Sequence, residues 1–275
     1  MVRFRWVAIG ICVALWTAPS ALASHSVIER VSTGPNGGNG ATDVNLDSVR
    51  ETAELLGDRV WPMALDVRDA EAHRAAAAAA AEHGPIRVWV NNAGVLRTAK
   101  AWSHSDEETR LMVEANLLGV MWGSRAAVEA MRAGGGHIIN MASMSSFGPV
   151  PGLAVYGATK HAVLGFSGSL QGDLDQAGIP IRVHAVCPDA VDTGMVRERQ
   201  AEPDSAIIFS APKLLEPAEV AERAVSLLDG KKIVLAIPRN RAWLGRIMAA
   251  FPRADLRLLE VFRRMGERRR QKGAP

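Results

Sequence analysis

The sequence has few cysteines and lacks a long apolar run. Its two cysteines, Cys12 and Cys187, are too sparse for a disulfide scaffold, and no Cys/His spacing fits a bound metal. The apolar stretch at residues 7–16 has about half the length that a helix needs to span a bilayer. We therefore expect neither a zinc protein nor a bundle of membrane helices.

The length and composition are those of a folded globular protein. The chain has 275 residues, of which 48% are hydrophobic and 22% are charged, values close to those of soluble domains. This length suits one α/β domain of about 250 residues and leaves little for a second domain. The same composition excludes extensive disorder and a collagen-like repeat.

The net charge of +3 is unevenly distributed along the chain. Residues 239–275 contain eleven basic and three acidic side chains, which gives this tail a charge of +8. The remaining residues carry a net charge of −5. The basic isoelectric point therefore describes a tail on a mildly acidic body, and it does not by itself indicate a nucleic-acid-binding domain.

From about residue 41 the chain alternates helical periodicity with short apolar runs, which is typical of βαβ units around a parallel sheet. We predict strands at 59–67, 86–90, 137–141, 181–186 and 233–237, and helices at 70–83, 106–131, 155–177 and 217–228. Residues 194–215 have no clear periodicity, and we expect them to form a lid over the substrate.

The basic tail has an amphipathic pattern that Pro252 should divide into two helices. Its apolar residues recur at roughly helical spacing: Trp243, Ile247, Phe251, Leu256, Leu259 and Phe262. We expect this stripe to pack on the body or on another subunit and to close the substrate cleft. Peripheral contact with an anionic membrane surface is the main alternative, and nucleic-acid binding is disfavoured.

Three residues have the spacing of a catalytic group. Tyr156 is the only tyrosine, and Lys160 follows it by four residues, which places both on one face of a predicted helix. A phenol has a pKa of about 10 and becomes a useful base near pH 7 only when positive charge stabilises the phenolate. We expect Lys160 to supply that charge, so that Tyr156 exchanges a proton with the substrate. Ser143, on the loop after a predicted strand, would donate a hydrogen bond to the substrate oxygen.

This arrangement resembles the catalytic signature of the short-chain dehydrogenase/reductase family, and the resemblance covers about residues 41–238. Asn91-Asn92-Ala93-Gly94 is similar to a family turn that follows a strand, and Asn116 is similar to the asparagine of the catalytic helix. The resemblance implies a Rossmann-like doubly wound parallel sheet. It also implies hydride transfer between a small alcohol or carbonyl substrate and NAD or NADP, a water ordered by Asn116 next to Lys160, and a homo-oligomer.

The same resemblance implies a set of cofactor-binding residues. Asp66 and Val67 resemble a strand end that meets adenine, and Thr193 resembles the residue that holds the nicotinamide carboxamide. Asp43, if it ends the second strand, would bind the ribose hydroxyls and repel a 2′-phosphate, so NAD is favoured over NADP. The complete implied set is Asp43, Asp66, Val67, Asn91, Ala93, Gly94, Tyr156, Lys160 and Thr193.

The N-terminal region departs from the family pattern. Residues 33–40 match the letters of the phosphate-binding motif Thr-Gly-x-x-x-Gly-x-Gly. Residues 41–45, however, resemble the end of the second strand, which leaves no room for the intervening helix. Alternatively, residues 26–32 form the first strand and 44–56 the first helix, which deletes one strand and one helix from the sheet. Both interpretations leave the strand and glycine-loop unit incomplete or aberrant. A second departure is Asp189, which stands where the family usually has glycine.

The first residues also resemble an export signal, because Arg3 and Arg5 precede the apolar stretch and Ala21-Leu22-Ala23 forms a cleavage-like pattern. Three explanations stay open: an error in the reading frame or start, which we favour, a degenerate family member, and true export. Because nicotinamide cofactors are kept inside cells, we expect a cytoplasmic protein. We divide the chain into an atypical leader (1–40), a dehydrogenase-like domain (41–238) and the basic tail (239–275).

The alternative to an oxidoreductase is a non-catalytic scaffold of the same fold. Such a protein would retain the catalytic half of the site but would have lost cofactor affinity together with the glycine loop. Binding of nicotinamide cofactors distinguishes the two.

Overall fold

The computed structural model of the chain describes residues 29–32, 39–56 and 60–271. The segment that resembles an export signal and residues 33–38 of the glycine-rich motif lie outside these described residues. Within them, strands and helices alternate along the chain as the periodicity predicts.

Seven strands of the described chain form one sheet, in the order β3-β2-β1-β4-β5-β6-β7. The strands are β1 (Glu29–Ser32), β2 (Asn39–Asp43), β3 (Val60–Ala64), β4 (Val88–Asn91), β5 (Gly136–Met141), β6 (Ile181–Pro188) and β7 (Val234–Ile237). β2 pairs with β3 in parallel, and β4 to β7 pair in parallel with their neighbours. The predicted Rossmann-like α/β sheet is confirmed.

The described helices connect and cover these strands. They are α1 (Leu46–Leu56), α2 (Ala70–Glu82), α3 (Asp106–Val113), α4 (Gly119–Met131), α5 (Ala154–Gln176), α6 (Gly194–Arg197), α7 (Pro217–Val225), α8 (Arg239–Ala249) and α9 (Pro252–Gln271). α3 begins at a capping box, in which Ser105 and Glu108 satisfy each other's backbone N–H groups. The helix predicted at 106–131 is interrupted by a π-helical turn at Glu114–Leu118, which joins α3 to α4.

β1 lies where the first strand of such a sheet belongs, but it runs antiparallel to both neighbours. Ser32 is opposite Asn39 and Val88, the first residues of β2 and β4. β1 therefore ends at the edge of the sheet where the parallel strands begin. The interpretation that deletes a strand is wrong, because the described sheet keeps seven strands. Its first helix is nevertheless found near the expected residues: α1 is the first described helix, and it follows β2 instead of β1.

The core lies on both faces of the sheet, as expected for a parallel sheet between layers of helices. On one face the buried side chains of Trp89, Ile138 and Val183 pack with Met112 and Met131 of α3 and α4. On the other face, Val186 and Leu235 pack against α7. The strands thereby hold the carboxyl ends of β4, β5 and β6 side by side.

The tail forms two helices that meet at Pro252, which confirms the predicted break. We refer to α8 and α9 together as the C-terminal hairpin. α9 packs against the 3₁₀ segment Pro203–Ser210, where Leu259 and Phe262 join a cluster of buried apolar side chains. Arg270 donates hydrogen bonds to the backbone oxygens of Gln200 and Glu202 at 2.9 and 2.6 Å. The residues predicted to form an irregular lid therefore fold into α6 and a 3₁₀ segment beneath the tail.

One face of the hairpin points away from the body and carries exposed apolar side chains. Trp243, Ile247 and Phe251 follow each other at four-residue spacing and are 62%, 51% and 62% exposed. No helix among the described residues combines the length and the apolar character needed to cross a membrane.

The contact between α9 and the 3₁₀ segment depends on the absence of a side chain at Gly266. A Cβ atom there would overlap the backbone carbonyl of Ala206. We predict that Gly266→Ala destabilises the protein by about 1–3 kcal/mol, because backbone atoms have to move to admit the methyl group. Thermal unfolding measures this effect.

The matched control is Gly172→Ala in α5, where an added Cβ meets no atom within 4 Å. In this helix interior alanine should stabilise by about 0.5–1 kcal/mol. Equal Tm values for Gly266→Ala and the wild type would show that α9 is not docked as described.

Candidate active site

A cavity of about 320 Å³ opens at the carboxyl ends of β4, β5 and β6. In open α/β sheets, ligands bind at this edge. The described strands bring Asn92, Ser143 and Thr193 to the cavity wall from three consecutive strand ends, and α5 brings Tyr156 and Lys160. Residues that are far apart in sequence thereby surround one space.

Ser143, Tyr156 and Lys160 lie together in this cavity. Ser143 lies close enough to Tyr156 to lower the pKa of its hydroxyl group. The Lys160 Nζ atom lies 5.7 Å from the centre of the Tyr156 ring and donates a hydrogen bond of 2.8 Å to the Met141 backbone oxygen. Ser146 Oγ donates a 2.8 Å bond to the Lys160 backbone oxygen, which ties α5 to the loop that carries Ser143.

Burial shifts both titratable groups toward their neutral forms. It raises the pKa of Tyr156 to about 12, although the nearby Ser143 side chain acts in the opposite direction. It lowers the pKa of Lys160 to about 8. Burial is the main cause of the raised pKa of Tyr156, and the expectation that Lys160 stabilises its phenolate stays a prediction. Tyr156 keeps its proton at neutral pH.

Asn116 lies in the π-helical turn and is fully buried. Its Oδ1 accepts a 2.7 Å bond from the Val95 N–H, and its Nδ2 donates to the Val95 oxygen at 2.9 Å and to Thr159 Oγ1 at 3.3 Å. A π-helical turn of this kind often marks a functional site. Here it fastens the loop after β4 to α5 at Thr159, the residue immediately before Lys160.

Glycine at position 94 lets the backbone of this loop approach the site closely. A Cβ atom there would lie 3.2 Å from Asn116 Oδ1 and 3.5 Å from Lys160 Nζ. Gly94 also lines the cavity, whereas its neighbour Ala93 is completely buried. The predicted turn thus contributes to the site through its backbone.

The side chain of Asn91 does not line the cavity, although the family motif implies that it contacts the cofactor. Its Nδ2 donates to Asn140 Oδ1 at 2.7 Å and to Ser124 Oγ at 3.0 Å, and its Oδ1 accepts a 2.7 Å bond from Trp89. This buried network joins β4, β5 and α4. The side chain of Asn91 therefore holds strands together and does not face the cavity.

The residues predicted to hold the adenosine half, Asp43, Asp66 and Val67, are not among those that line the cavity. Asp43 ends β2, as predicted, but it is fully buried and its Oδ1 accepts a 2.7 Å bond from the Asn45 N–H. Asp66 forms an ion pair with Arg68 at 2.6 Å, and this contact holds the pKa of the Asp66 carboxyl below its usual range. The Val67 oxygen accepts a 3.0 Å hydrogen bond at the buried ring of His73.

Thr193 lines the cavity immediately before α6, and its Oγ1 donates a 3.4 Å bond to the Val191 oxygen. Nearby, the carboxylate of Asp189 forms an ion pair with Arg241 of α8. Burial raises the pKa of Asp189, and the guanidinium opposes that shift. The charge that Asp189 adds at this position is therefore balanced by the tail.

Sequence reasoning missed Arg241. Besides Asp189, its guanidinium bonds Ser210 Oγ at 2.9 Å and lies 5.5 Å from the ring centre of Phe262. It connects the end of β6, the 3₁₀ segment and α9. The sequence offered two signals for this contact, the acidic residue at position 189 and the excess of arginines in the tail. Which arginine pairs with Asp189 is visible only in the fold.

The C-terminal hairpin supplies one wall of the cavity, in line with the expected closure of the cleft. Its cavity-lining residues are Arg241, Leu244, Gly245, Met248, Asp255, Leu258, Leu259 and Phe262. In the part of the chain that the structure describes, no three His, Cys, Asp or Glu side chains gather into a possible metal site.

The sequence is similar to those of known proteins. The family model described as short chain dehydrogenase matches residues 39–204. Estradiol 17-beta-dehydrogenase 11 of Rattus norvegicus is 29% identical over 229 residues, which cover 81% of this chain and 73% of that protein. Probable oxidoreductase EphD of Mycobacterium tuberculosis (strain ATCC 25618 / H37Rv) is 35% identical over 161 residues, or 56% of this chain. That match spans only 27% of the length of EphD.

Two solved structures have the same fold. A short chain dehydrogenase from Burkholderia cenocepacia J2315 in complex with NADP is 25% identical, with a TM-score of 0.65 and coverage of 79% of this chain and 84% of that chain. A short chain dehydrogenase/reductase from Burkholderia phymatum in complex with NAD is 24% identical, with a TM-score of 0.70 and coverage of 80% and 85%.

Proposed function

This chain belongs to the short-chain dehydrogenase/reductase family, as its motifs predict, and on that basis we propose that it interconverts an alcohol and a carbonyl with NAD or NADP as cofactor. The observation that carries the proposal is the meeting of Ser143, Tyr156 and Lys160 in one cavity at the carboxyl edge of the sheet. The substrate is a small molecule, and the relatives named as estradiol dehydrogenases favour an apolar one.

Each catalytic side chain has a task that follows from its contacts. Tyr156, which keeps its proton at neutral pH, donates that proton to the substrate oxygen during reduction and accepts it back during oxidation. Ser143, which lines the same cavity as Tyr156, holds the same substrate oxygen by a hydrogen bond. Lys160 lies beside the ring and stabilises the phenolate once the proton has left. Asn116 ties the loop after β4 to α5 through its hydrogen bonds to Val95 and Thr159. We propose that it also orders a water next to Lys160.

The described residues fit one half of a nicotinamide dinucleotide better than the other. Asn92, Gly94, Thr193 and Lys160 line the cavity around the catalytic group, and we propose that they hold the nicotinamide half. When bound, this group supplies or accepts the hydride. On the phosphate side, within the described residues, β1 ends at the opposite edge and α1 follows β2. The usual helix N-terminus after the first strand is therefore not formed there, and we propose that cofactor affinity is reduced.

Replacing Tyr156 with Phe removes only the phenolic oxygen and tests the catalytic assignment. We predict that kcat falls by about 10²- to 10⁴-fold, because the proton-transfer group is lost, while the thermal unfolding temperature stays near that of the wild type. Steady-state turnover of apolar alcohols and ketones measures the effect. Retention of more than about a tenth of the wild-type kcat would show that Tyr156 is not the acid/base group.

Titration with NADH and NADPH separates the enzyme from the scaffold alternative. We predict that nicotinamide fluorescence reports binding of NADH in preference to NADPH, because the carboxyl of Asp43 at the end of β2 disfavours a 2′-phosphate. A preference for NADPH would contradict the role of Asp43. Binding of neither cofactor to folded protein would favour the non-catalytic scaffold.

We also propose that the outer face of the C-terminal hairpin contacts an anionic membrane surface. The exposed stripe of Trp243, Ile247 and Phe251 belongs to a tail with a charge of +8, and this combination suits the interfacial region of an anionic bilayer. The protein would otherwise remain cytoplasmic and form a homo-oligomer, as family resemblance implies.

Co-sedimentation with vesicles that contain phosphatidylserine tests the membrane proposal. We predict that the double variant Ile247→Gln and Phe251→Gln loses most of the binding, since both side chains point away from the body. Trp102→Gln is the matched control, because Trp102 is 84% exposed at a site outside the hairpin. Equal binding by the double variant and the wild type would refute the contact.

A further inference from the structure

The cavity extends beyond the catalytic group to a wall that is almost entirely apolar. Leu244 and Met248 of α8 and Leu258, Leu259 and Phe262 of α9 form this wall. Within it lies one carboxyl group, that of Asp255. An ionisable group in such surroundings requires a physical explanation, because burial of an unsatisfied polar group is unfavourable.

Asp255 is 4% exposed, and burial raises its pKa. Its Oδ2 atom is buried and has no hydrogen-bond partner among the residues that the structure describes. The backbone at Gly148 lies close to this atom, since a Cβ atom there would be 3.2 Å from it. The carboxyl group therefore faces the loop that follows Ser143, inside the same cavity.

The other charged groups on the described cavity wall already have partners. Arg241 is paired with Asp189 and also bonds Ser210. Lys160 donates to the Met141 oxygen. Among the charged groups of the described lining, Asp255 is thus the one with an oxygen atom, Oδ2, that could accept a hydrogen bond from a ligand.

We propose that Asp255 accepts a hydrogen bond from a hydroxyl group of the substrate, at a position remote from the carbon that reacts. Gly148 is five residues from Ser143, so their Cα atoms are at most about 18 Å apart, and a bound molecule of roughly this order of length would reach both positions. The substrate class is then an elongated apolar alcohol or ketone with a second hydroxyl group. This inference rests on the proposed oxidoreductase function of the same cavity.

A hydroxyl group suits the site better than an ammonium group. Lys160 and Arg241 contribute two positive charges to the described wall, and Asp189 and Asp255 contribute two negative charges. A neutral donor leaves this balance unchanged, whereas a cationic ligand would add an unmatched charge to an apolar space. The specificity of the site would come from the penalty of leaving Asp255 unpaired when a substrate lacks the second hydroxyl.

Asp255 also lies in the first turn of α9, where a negative charge interacts favourably with the helix N-terminus. A purely structural role and a role in recognition predict opposite results. If the carboxylate is structural, Asp255→Leu lowers the Tm. If it is kept for a ligand, the leucine removes an unsatisfied buried group, so the Tm is equal to or above that of the wild type.

The test uses straight-chain α,ω-diols and primary alkanols of matched length, with the full chain and its cofactor. For the wild type we expect kcat/KM to favour the diols by roughly tenfold to a hundredfold at the best length, mainly through KM. Asp255→Leu should abolish this preference, so that kcat/KM becomes equal for diols and alkanols of the same length. Asp255→Asn, which retains a carbonyl acceptor, should keep part of it, and Glu260→Gln, on the same helix but in a surface ion-pair cluster, should keep all of it.

Stabilisation of the protein by each compound in thermal unfolding gives a readout that does not need turnover. If diols raise the Tm of the wild type more than alkanols do, and Asp255→Leu loses this difference, the inference holds even where no probe is oxidised. In that case it is the proposed activity that fails. Equal responses to diols and alkanols in the wild type, an unchanged diol preference in Asp255→Leu, or unfolding of that variant would overturn the inference.

Discussion

The buried ammonium group of Lys160 and its hydrogen bond to the Met141 oxygen hold the site together. This contact joins α5 to the end of β5, and the Ser146 bond to the Lys160 backbone strengthens the same junction. Tyr156 is carried to Ser143 as a consequence, one helical turn before Lys160. Burial lowers the pKa of Lys160 to about 8, which means that the fold disfavours the charged form of this side chain. A role in the proposed reaction therefore explains the buried lysine better than a contribution to stability does.

The catalytic half and the phosphate half of the site depend on different parts of the chain. Ser143, Tyr156, Lys160 and Asn116 are supported by β4 to β6 and the helices between them, where pairing is parallel throughout. The phosphate half depends on the first strand, and β1 runs in the opposite direction from the one required. The proposed proton-transfer group can therefore coexist with the proposed weaker cofactor site, because the parallel pairing of β4 to β6 does not depend on the direction of β1.

The C-terminal hairpin has two chemically distinct faces. The inner face closes the cavity, and Arg241 links it to Asp189 and Ser210. The outer face exposes Trp243, Ile247 and Phe251. A single amphipathic stripe in the sequence thus divides into residues that line the cavity and residues that stay exposed.

The sequence alone determined the sheet-and-helix alternation, the helical break at Pro252 and the pairing of Tyr156 with Lys160, because these follow from local periodicity, from the geometry of proline and from four-residue spacing. The direction of β1, the inward orientation of Asn91 and the contact between Asp189 and Arg241 became visible only in the folded chain. The tertiary structure also decided that burial keeps Tyr156 protonated and that Asp255 faces the cavity. These features depend on strand register, desolvation and contacts between residues tens of positions apart, and such interactions leave no periodic signal in the chain.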